Sequence, residues 1–334
     1  MAHGPGISGE REMGWGRKAL LIGAVALIVA IGIGAYWLLS GGGLPTIELK
    51  SITHRWALVN ETITAIESTV VVHNPTPISA TLKHLEYTIR LNGIDFGTGR
   101  SSEPVEVPAQ GDATINLTTY IENEKIPAWW VSHVKAGERT EADISGVATV
   151  EALGTTFDVP FQYSGEFETD IEEQADITEP FDIVLVSGLP IIGDVKVRVE
   201  EVDTSWGEIT AEETQLIHVA RIYNPNDFDI PATSMRYIIE ANGIRLAEGE
   251  QPLNLVLKAR STTHLVLFTS IDNTLLDEWW VSHVQNNETT HLAISIKATW
   301  EFTVPFLGSF TVERLVYHVE MDVKTDILSA LAYP

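Results

Sequence analysis

The chain repeats itself, and this limits its fold more than any other feature. Asn74-Pro75 recurs as Asn224-Pro225, and Tyr87-Thr-Ile-Arg-Leu-Asn92-Gly93 as Tyr237-Ile-Ile-Glu-Ala-Asn242-Gly243. The hexapeptide Trp129-Trp130-Val131-Ser132-His133-Val134 returns intact at Trp279 to Val284, and Trp56 is matched by Trp206, every pair 150 residues apart. Chance does not supply so many matches at one spacing, so the chain carries a duplication. Val159-Pro160-Phe161 and Val304-Pro305-Phe306 are 145 residues apart, which predicts a loop shortened in the second copy.

Each copy reads as short strands. Residues 68–73, 113–120, 214–223 and 262–268 are rich in β-branched and apolar side chains, and Leu85, Tyr87, Ile89 and Leu91 alternate with polar neighbours. Asn92-Gly93 and Asn242-Gly243 supply hairpin turns, because Asn and Gly tolerate positive φ. One helix interrupts each copy, with Ile126, Trp130 and Val134, or Leu276, Trp280 and Val284, on one face. Asp272 or Asn273 can cap the second helix, and Pro127 fits the first turn of the first. The expected fold is all-β: two tandem immunoglobulin- or fibronectin-III-like antiparallel β-sandwiches, each with one short helix, behind an N-terminal transmembrane helix.

That helix is read from the uncharged run after Arg17-Lys18. Its 21 residues from Ala19 to Leu39 would span roughly 30 Å as a helix, the thickness of bilayer hydrocarbon. Arg11, Arg17 and Lys18 precede it and no charge follows as far as Ile47, which predicts a cytoplasmic N-terminus and everything else outside the cell. A cleaved signal peptide and a pilin-type leader are the alternatives. The boundaries expected are a tail at 1–18, the span at 19–40, a connector at 41–45, a sandwich at 46–172, a linker at 173–189, a second sandwich at 190–325 and a tail at 326–334.

The Asn-Pro steps, each followed by a strand and an Asn-Gly turn, resemble the late-embryogenesis-abundant type 2 family. Its water-stress and hypersensitive-response (WHy) form carries an Asn-Pro-Asn signature. Asn224, Pro225 and Asn226 match it in full; the first copy keeps Asn74 and Pro75 but departs at Thr76. With the Val-Pro-Phe tripeptides the resemblance covers both halves. It implies a seven-stranded sandwich with one helix, protection of proteins or membranes during desiccation or other stress, and no catalysis. In the residues themselves the motif reads as architecture, since proline ends a ladder and asparagine can bond back to the turn.

Other chemistry is limited. With 46 acidic against 21 basic residues the formal charge is −25, which repels nucleic acid, and the absence of cysteine excludes disulfides and thiolate chemistry. Ser132-His133 and Ser282-His283 invite a hydrolase reading, but neighbours in a helix do not face each other, so ordinary surface or helix-face histidines are expected. No histidine spacing suggests zinc, and no cofactor is expected. The acidic run Glu166, Glu168, Asp170, Glu172, Glu173 and Asp176 offers oxygens for weak calcium binding or is simply solvated. Asn60, Asn116 and Asn287 stand in glycosylation acceptor triplets. Expected partners are the membrane through residues 19–40 and surface proteins or lipids. Stress protection leads as the expected role, with adhesion or assembly and apolar-ligand binding as alternatives.

Overall fold

The computed structural model describes residues 11–12, 47–189, 193–304, 308–325 and 327–328. The expected span at 19–40 and its connector lie outside the described residues, and no described helix is long and apolar enough to cross a membrane. Two compact units emerge. One is built on Arg11–Glu12, Asp170–Trp279 and Thr289–Lys324; the other takes residues 47–169 together with Trp280–Glu288 and the described residues from Thr325.

In the first copy the strands are β2 (Glu48–Val59), β3 (Ile63–Asn74), β4 (Ala80–Leu91), β5 (Ile94–Ser101), β6 (Val105–Val107), β7 (Gly111–Glu122), β8 (Arg139–Ala152) and β9 (Thr155–Glu168). Helix α1 (Ile126–Lys135) enters between β7 and β8. Period-two patterning gives each strand one buried face: Val70 and Val72 on β3, Ala113, Ile115 and Leu117 on β7, and Leu85 and Ile89 on β4 are all buried. The strands pair in the order β2-β3-β7-β5-β4-β8-β9, with β6 also on β4. Two separate sheets were expected, yet β5 pairs with β7 on one side and β4 on the other, so both layers belong to one eight-stranded sheet. Gly97 permits this: a Cβ there would fall on the carbonyl oxygen of Tyr120 in β7.

In the second copy β10 (Phe181–Leu189), β11 (Gly193–Ile209), β12 (Glu213–Asn224) and β15 (Ser261–Asp272) form one sheet, in that order. The other runs β14 (Ile244–Leu257), β13 (Ile230–Ala241), β16 (Thr289–Val304), β17 (Gly308–Lys324), with β1 (Arg11–Glu12) parallel to Val323–Lys324. Between the two sheets lies a core of Leu185, Val195, Val197, Ala220, Ile222, Ile230, Ala232, Leu257, Leu265, Ala298 and Trp300. Each large side chain buried this way contributes about 1.5–3 kcal/mol of apolar transfer free energy.

Two expectations are corrected here. The linker at 173–189 is structured: helix α2 (Ile171–Gln174) precedes β10, whose Leu185 is fully buried in the core. Acidic residues on both sides hid a short apolar strand. The Val-Pro-Phe tripeptides are not equivalent either. Val159 pairs with Ala148 in mid-strand, whereas Val304 pairs with Gly308 beside the hairpin tip. The terminal hairpin of the second copy is longer, with strands of 16 and 17 residues against 14 and 14.

The helices keep their predicted faces. Ile126 and Val134 of α1, and Leu276, Trp280 and Val284 of α3 (Leu276–Gln285), are buried, whereas Trp130 of α1 is only half-buried. Asp272 caps the one-turn 3₁₀ helix ahead of α3, its Oδ1 accepting from the Thr274 N–H at 2.9 Å.

Candidate functional site

The Asn-Pro steps are the first candidates. Both asparagines are fully buried at strand ends. Asn74 Nδ2 donates to the carbonyls of Ile78 and Pro108 at 2.9 and 3.1 Å, and its Oδ1 accepts from the Thr76 N–H at 3.0 Å. Asn224 repeats the pattern with Phe228, Leu257 and the Asn226 N–H at 2.9, 2.9 and 3.0 Å. Pro75 and Pro225 follow where each ladder stops. The departure at Thr76 is absorbed locally, its hydroxyl donating to the Ile78 carbonyl at 3.0 Å. Asn226 instead reaches back to the Lys196 carbonyl of β11 at 2.6 Å. Every polar atom of Asn74 and Asn224 is hydrogen-bonded inside the fold, where each side chain pins a turn.

The Ser-His pairs are more deeply placed than expected. His133 is fully buried, its Nδ1 2.8 Å from Thr140 Oγ1 and its Nε2 2.8 Å from Thr169 Oγ1. The Thr169 hydroxyl donates in turn to Glu138 Oε2 at 2.6 Å. In the second copy His283 Nε2 lies 2.8 Å from Thr325 Oγ1, and that hydroxyl donates to Glu288 Oε2 at 3.1 Å. Glu288 also accepts from the Ile327 and Leu328 N–H groups and, at 3.0 Å, from the indole of Trp56. Beside it Trp280 meets Trp56 edge to face at 6.0 Å and donates to Thr64 Oγ1 at 3.1 Å.

Burial pushes the His283 imidazole down to about 4. It lowers His133 too, against the pull of the Glu138 charge. Ser132 Oγ donates to the Trp129 carbonyl at 2.7 Å and accepts from Asn92 Nδ2 at 3.0 Å, so it is aimed away from its histidine. These clusters latch the chain leaving the last strand of each copy onto the helix. The reading as surface or helix-face histidines missed this burial. The signal was present, because the hexapeptide repeat continues at the same spacing to Glu138 and Glu288. Thr169-Asp-Ile and Thr325-Asp-Ile also recur.

The remaining candidates are surface groups. Asn60, Asn116 and Asn287 are exposed. Asn60 Oδ1 closes a turn by accepting from the Thr62 and Ile63 N–H groups, and Asn116 accepts from Thr69 Oγ1 at 3.3 Å. Of the acidic run, Glu166 and Glu168 pair with Arg139 at 3.7 and 2.6 Å, Glu172 accepts from the Trp206 N–H at 3.0 Å, and Asp176 from the Thr204 N–H at 2.6 Å. Among the described residues no three histidine or carboxylate side chains converge to hold a metal.

One concave site lies in the second copy. Where the first copy has Gly97, the second has Ala247, and no ladder joins β14 to β15. Tyr237, Gly249, Glu250, Gln251, Pro252 and Phe268 border an open groove of about 280 Å³ there. Gln251 bridges it: Nε2 donates to the Val266 carbonyl and Oε1 accepts from the Phe268 N–H, both at 3.0 Å. The Tyr237 hydroxyl accepts from the Ser270 N–H at 3.0 Å.

The chain is similar to several known proteins. A crystal structure of a protein from Archaeoglobus fulgidus is 28% identical over 38% of this chain and 98% of that one, with a TM-score of 0.33. A solution structure from Arabidopsis thaliana is 16% identical over 36% of this chain and 83% of that one, at 0.27. A solution structure described as a late embryogenesis abundant (LEA) protein is 18% identical over 44% of this chain and 72% of that one, at 0.26. Comparison with curated proteins gives no match. The family model described as late embryogenesis abundant protein matches residues 69–165 and 219–314, together more than half of the chain. With that match in both copies of its duplication, the chain belongs to the late embryogenesis abundant family.

Proposed function

We propose that this is a membrane-anchored tandem LEA type 2 protein whose two domains lie outside the cell and protect against desiccation or related stress without turnover. The observation that carries the absence of turnover is the inward commitment of the motif side chains. Asn74, Asn224, His133 and His283 are all consumed by hydrogen bonds inside the fold. What the protein offers its surroundings is therefore surface, with 46 acidic residues to 21 basic ones to hold water and repel like neighbours. Family membership supports the stress role, and the uncharged run at 19–40 supports the anchor.

Protease treatment of intact cells carrying a tag at each end tests the topology. Loss of the C-terminal tag with survival of the N-terminal one is expected. The pairing of Arg11–Glu12 with Val323–Lys324 requires those two segments on one side of any membrane. Protection of both tags, or loss of both, would favour that arrangement and overturn the proposed one. For the role, deletion is expected to lower survival after drying, and an unchanged survival curve would remove the stress reading.

A further inference from the structure

We propose that the Asn-Pro end of the first copy rests on the bilayer surface, with the β8–β9 hairpin tip at Leu153 set among the lipid head groups, an inference that rests on the membrane anchor read at residues 19–40. The partner of this end is then the lipid itself. Three independent observations meet there.

The first is convergence. The described part of the first copy begins at Ile47, and Glu48 pairs with His73, next to Asn74. At the same end lie loops 75–79 and 108–110, tied together by the Gln110 N–H donating to the Thr76 carbonyl at 2.8 Å. The β8–β9 turn joins them, because Ala152 beside it pairs with Ala80, and Ala80 also pairs with Val107. From Leu39, where the uncharged run ends, to Ile47 the chain spans at most about 29 Å, at up to 3.6 Å per residue. With the run in a bilayer, this end of the first copy is therefore held close to the head groups.

The second is the loss of charge. In a chain that is 20% charged, residues 75–79, 108–110 and 153–156 hold no charged side chain. The counterparts of the first two loops, 150 residues on, carry four: Asp227, Asp229, Lys258 and Arg260 stand where the first copy has Pro77, Ser79, Pro108 and Gln110. There they pair, Arg260 with Asp227 at 2.7 Å and Lys258 with Asp229 at 2.8 Å. The turn itself does not dictate the difference, since φ is +51° at Gln110 and +54° at Arg260. A charge pressed into a lipid interface gives up hydration that an uncharged loop never needed. The third is Leu153, which at 63% exposure is the most exposed large apolar side chain among the described residues. Water gives it nothing, whereas the boundary between head groups and acyl chains rewards it. Pro75, Pro77 and Ala109 are exposed on the adjoining loops. Charge resumes just behind the tip, in Lys50 with Asp112 at 2.9 Å and Lys83 with Glu151 at 2.7 Å. The overall charge of −25 favours zwitterionic over anionic lipid.

The test uses the full chain, which has no cysteine of its own, in phosphatidylcholine vesicles, with an environment-sensitive fluorophore on single cysteines. Ala30→Cys reports on the uncharged run, Ala109→Cys and Thr155→Cys on the contact, and Glu61→Cys on the far end of β3, roughly 40 Å away along a strand of 12 residues. Lipids bearing a nitroxide at the head group should quench the Ala109→Cys and Thr155→Cys labels at least threefold more than the Glu61→Cys label. Leu153→Asp, and separately Pro77→Asp with Gln110→Arg, which installs a pair the second copy already folds with, should bring Ala109→Cys down to the Glu61→Cys level without lowering the melting temperature. If acyl-chain nitroxides quench Ala30→Cys while head-group nitroxides leave both contact labels untouched, the anchor stands and the contact is overturned. An unquenched Ala30→Cys label removes the anchor, and with it the ground of the contact. Contact labels shifted to the blue but untouched by either nitroxide mean that a second copy covers this end, which overturns the lipid. Undiminished quenching in both charged variants overturns the proposal as well.

Discussion

At the scale of single residues, the buried histidines tie stability to pH. His283 is held neutral in the fold, its pKa brought by burial from 6.5 to about 4. A folded-state pKa below the unfolded one means that the unfolded chain takes up the proton first. The stabilising contribution is therefore complete above pH 6.5 and is lost as pH falls through 6.5 toward 4. At about 1.36 kcal/mol per unit, the loss from His283 alone approaches roughly 3 kcal/mol at the lower end. Thermal melts between pH 7 and 4 should show this acid limb, and His283→Gln should flatten it while lowering the melting temperature at neutral pH. An unchanged slope in the variant would mean that another group carries the effect. Burial of these histidines was hard to read from sequence, because an isolated His on a helix has no face of its own. The recurrence of Glu138 and Thr140 at Glu288 and Thr290 was the legible part.

At the scale of elements, sheet closure turns on one methyl group. Gly97→Ala should break the β5–β7 ladder and leave the first copy split, as the second copy is. Hydrogen exchange would then reveal faster exchange at those amides of residues 117–121 that face β5, with unchanged protection at those bonded to β3. Retained protection at 117–121 would show that Gly97 is not what closes the sheet. Strands and turns were legible wherever alternation met a turn residue, as at Leu85 to Leu91 with Asn92 and Gly93, where φ is +49° and +78°. Closure was not, because it depends on how near two strands approach across the fold and no local pattern records that. The Val-Pro-Phe match misled for a similar reason: a tripeptide fixes a register only when its pairing partners repeat with it.

At the scale of the whole molecule, charge dominates. Lysines and arginines find carboxylates on the surface, as in Arg245 with Glu240 and Glu248 at 3.3 and 2.8 Å, but exposed pairs of this kind are screened by water and add little stability. The unpaired excess is acidic, so raising salt from 0.01 to 0.15 M, which shortens the screening length from about 30 to 8 Å, should raise the melting temperature. A fall would mean that ion pairs outweigh repulsion. The uneven terminal hairpins bear on how such a molecule folds at all. Adjacent domains of like sequence invite exchange of matching strands during folding. A β17 of 17 residues laid on β8, of 14, would overrun it by three and strand their peptide groups without partners. The difference in length weighs against such an exchange.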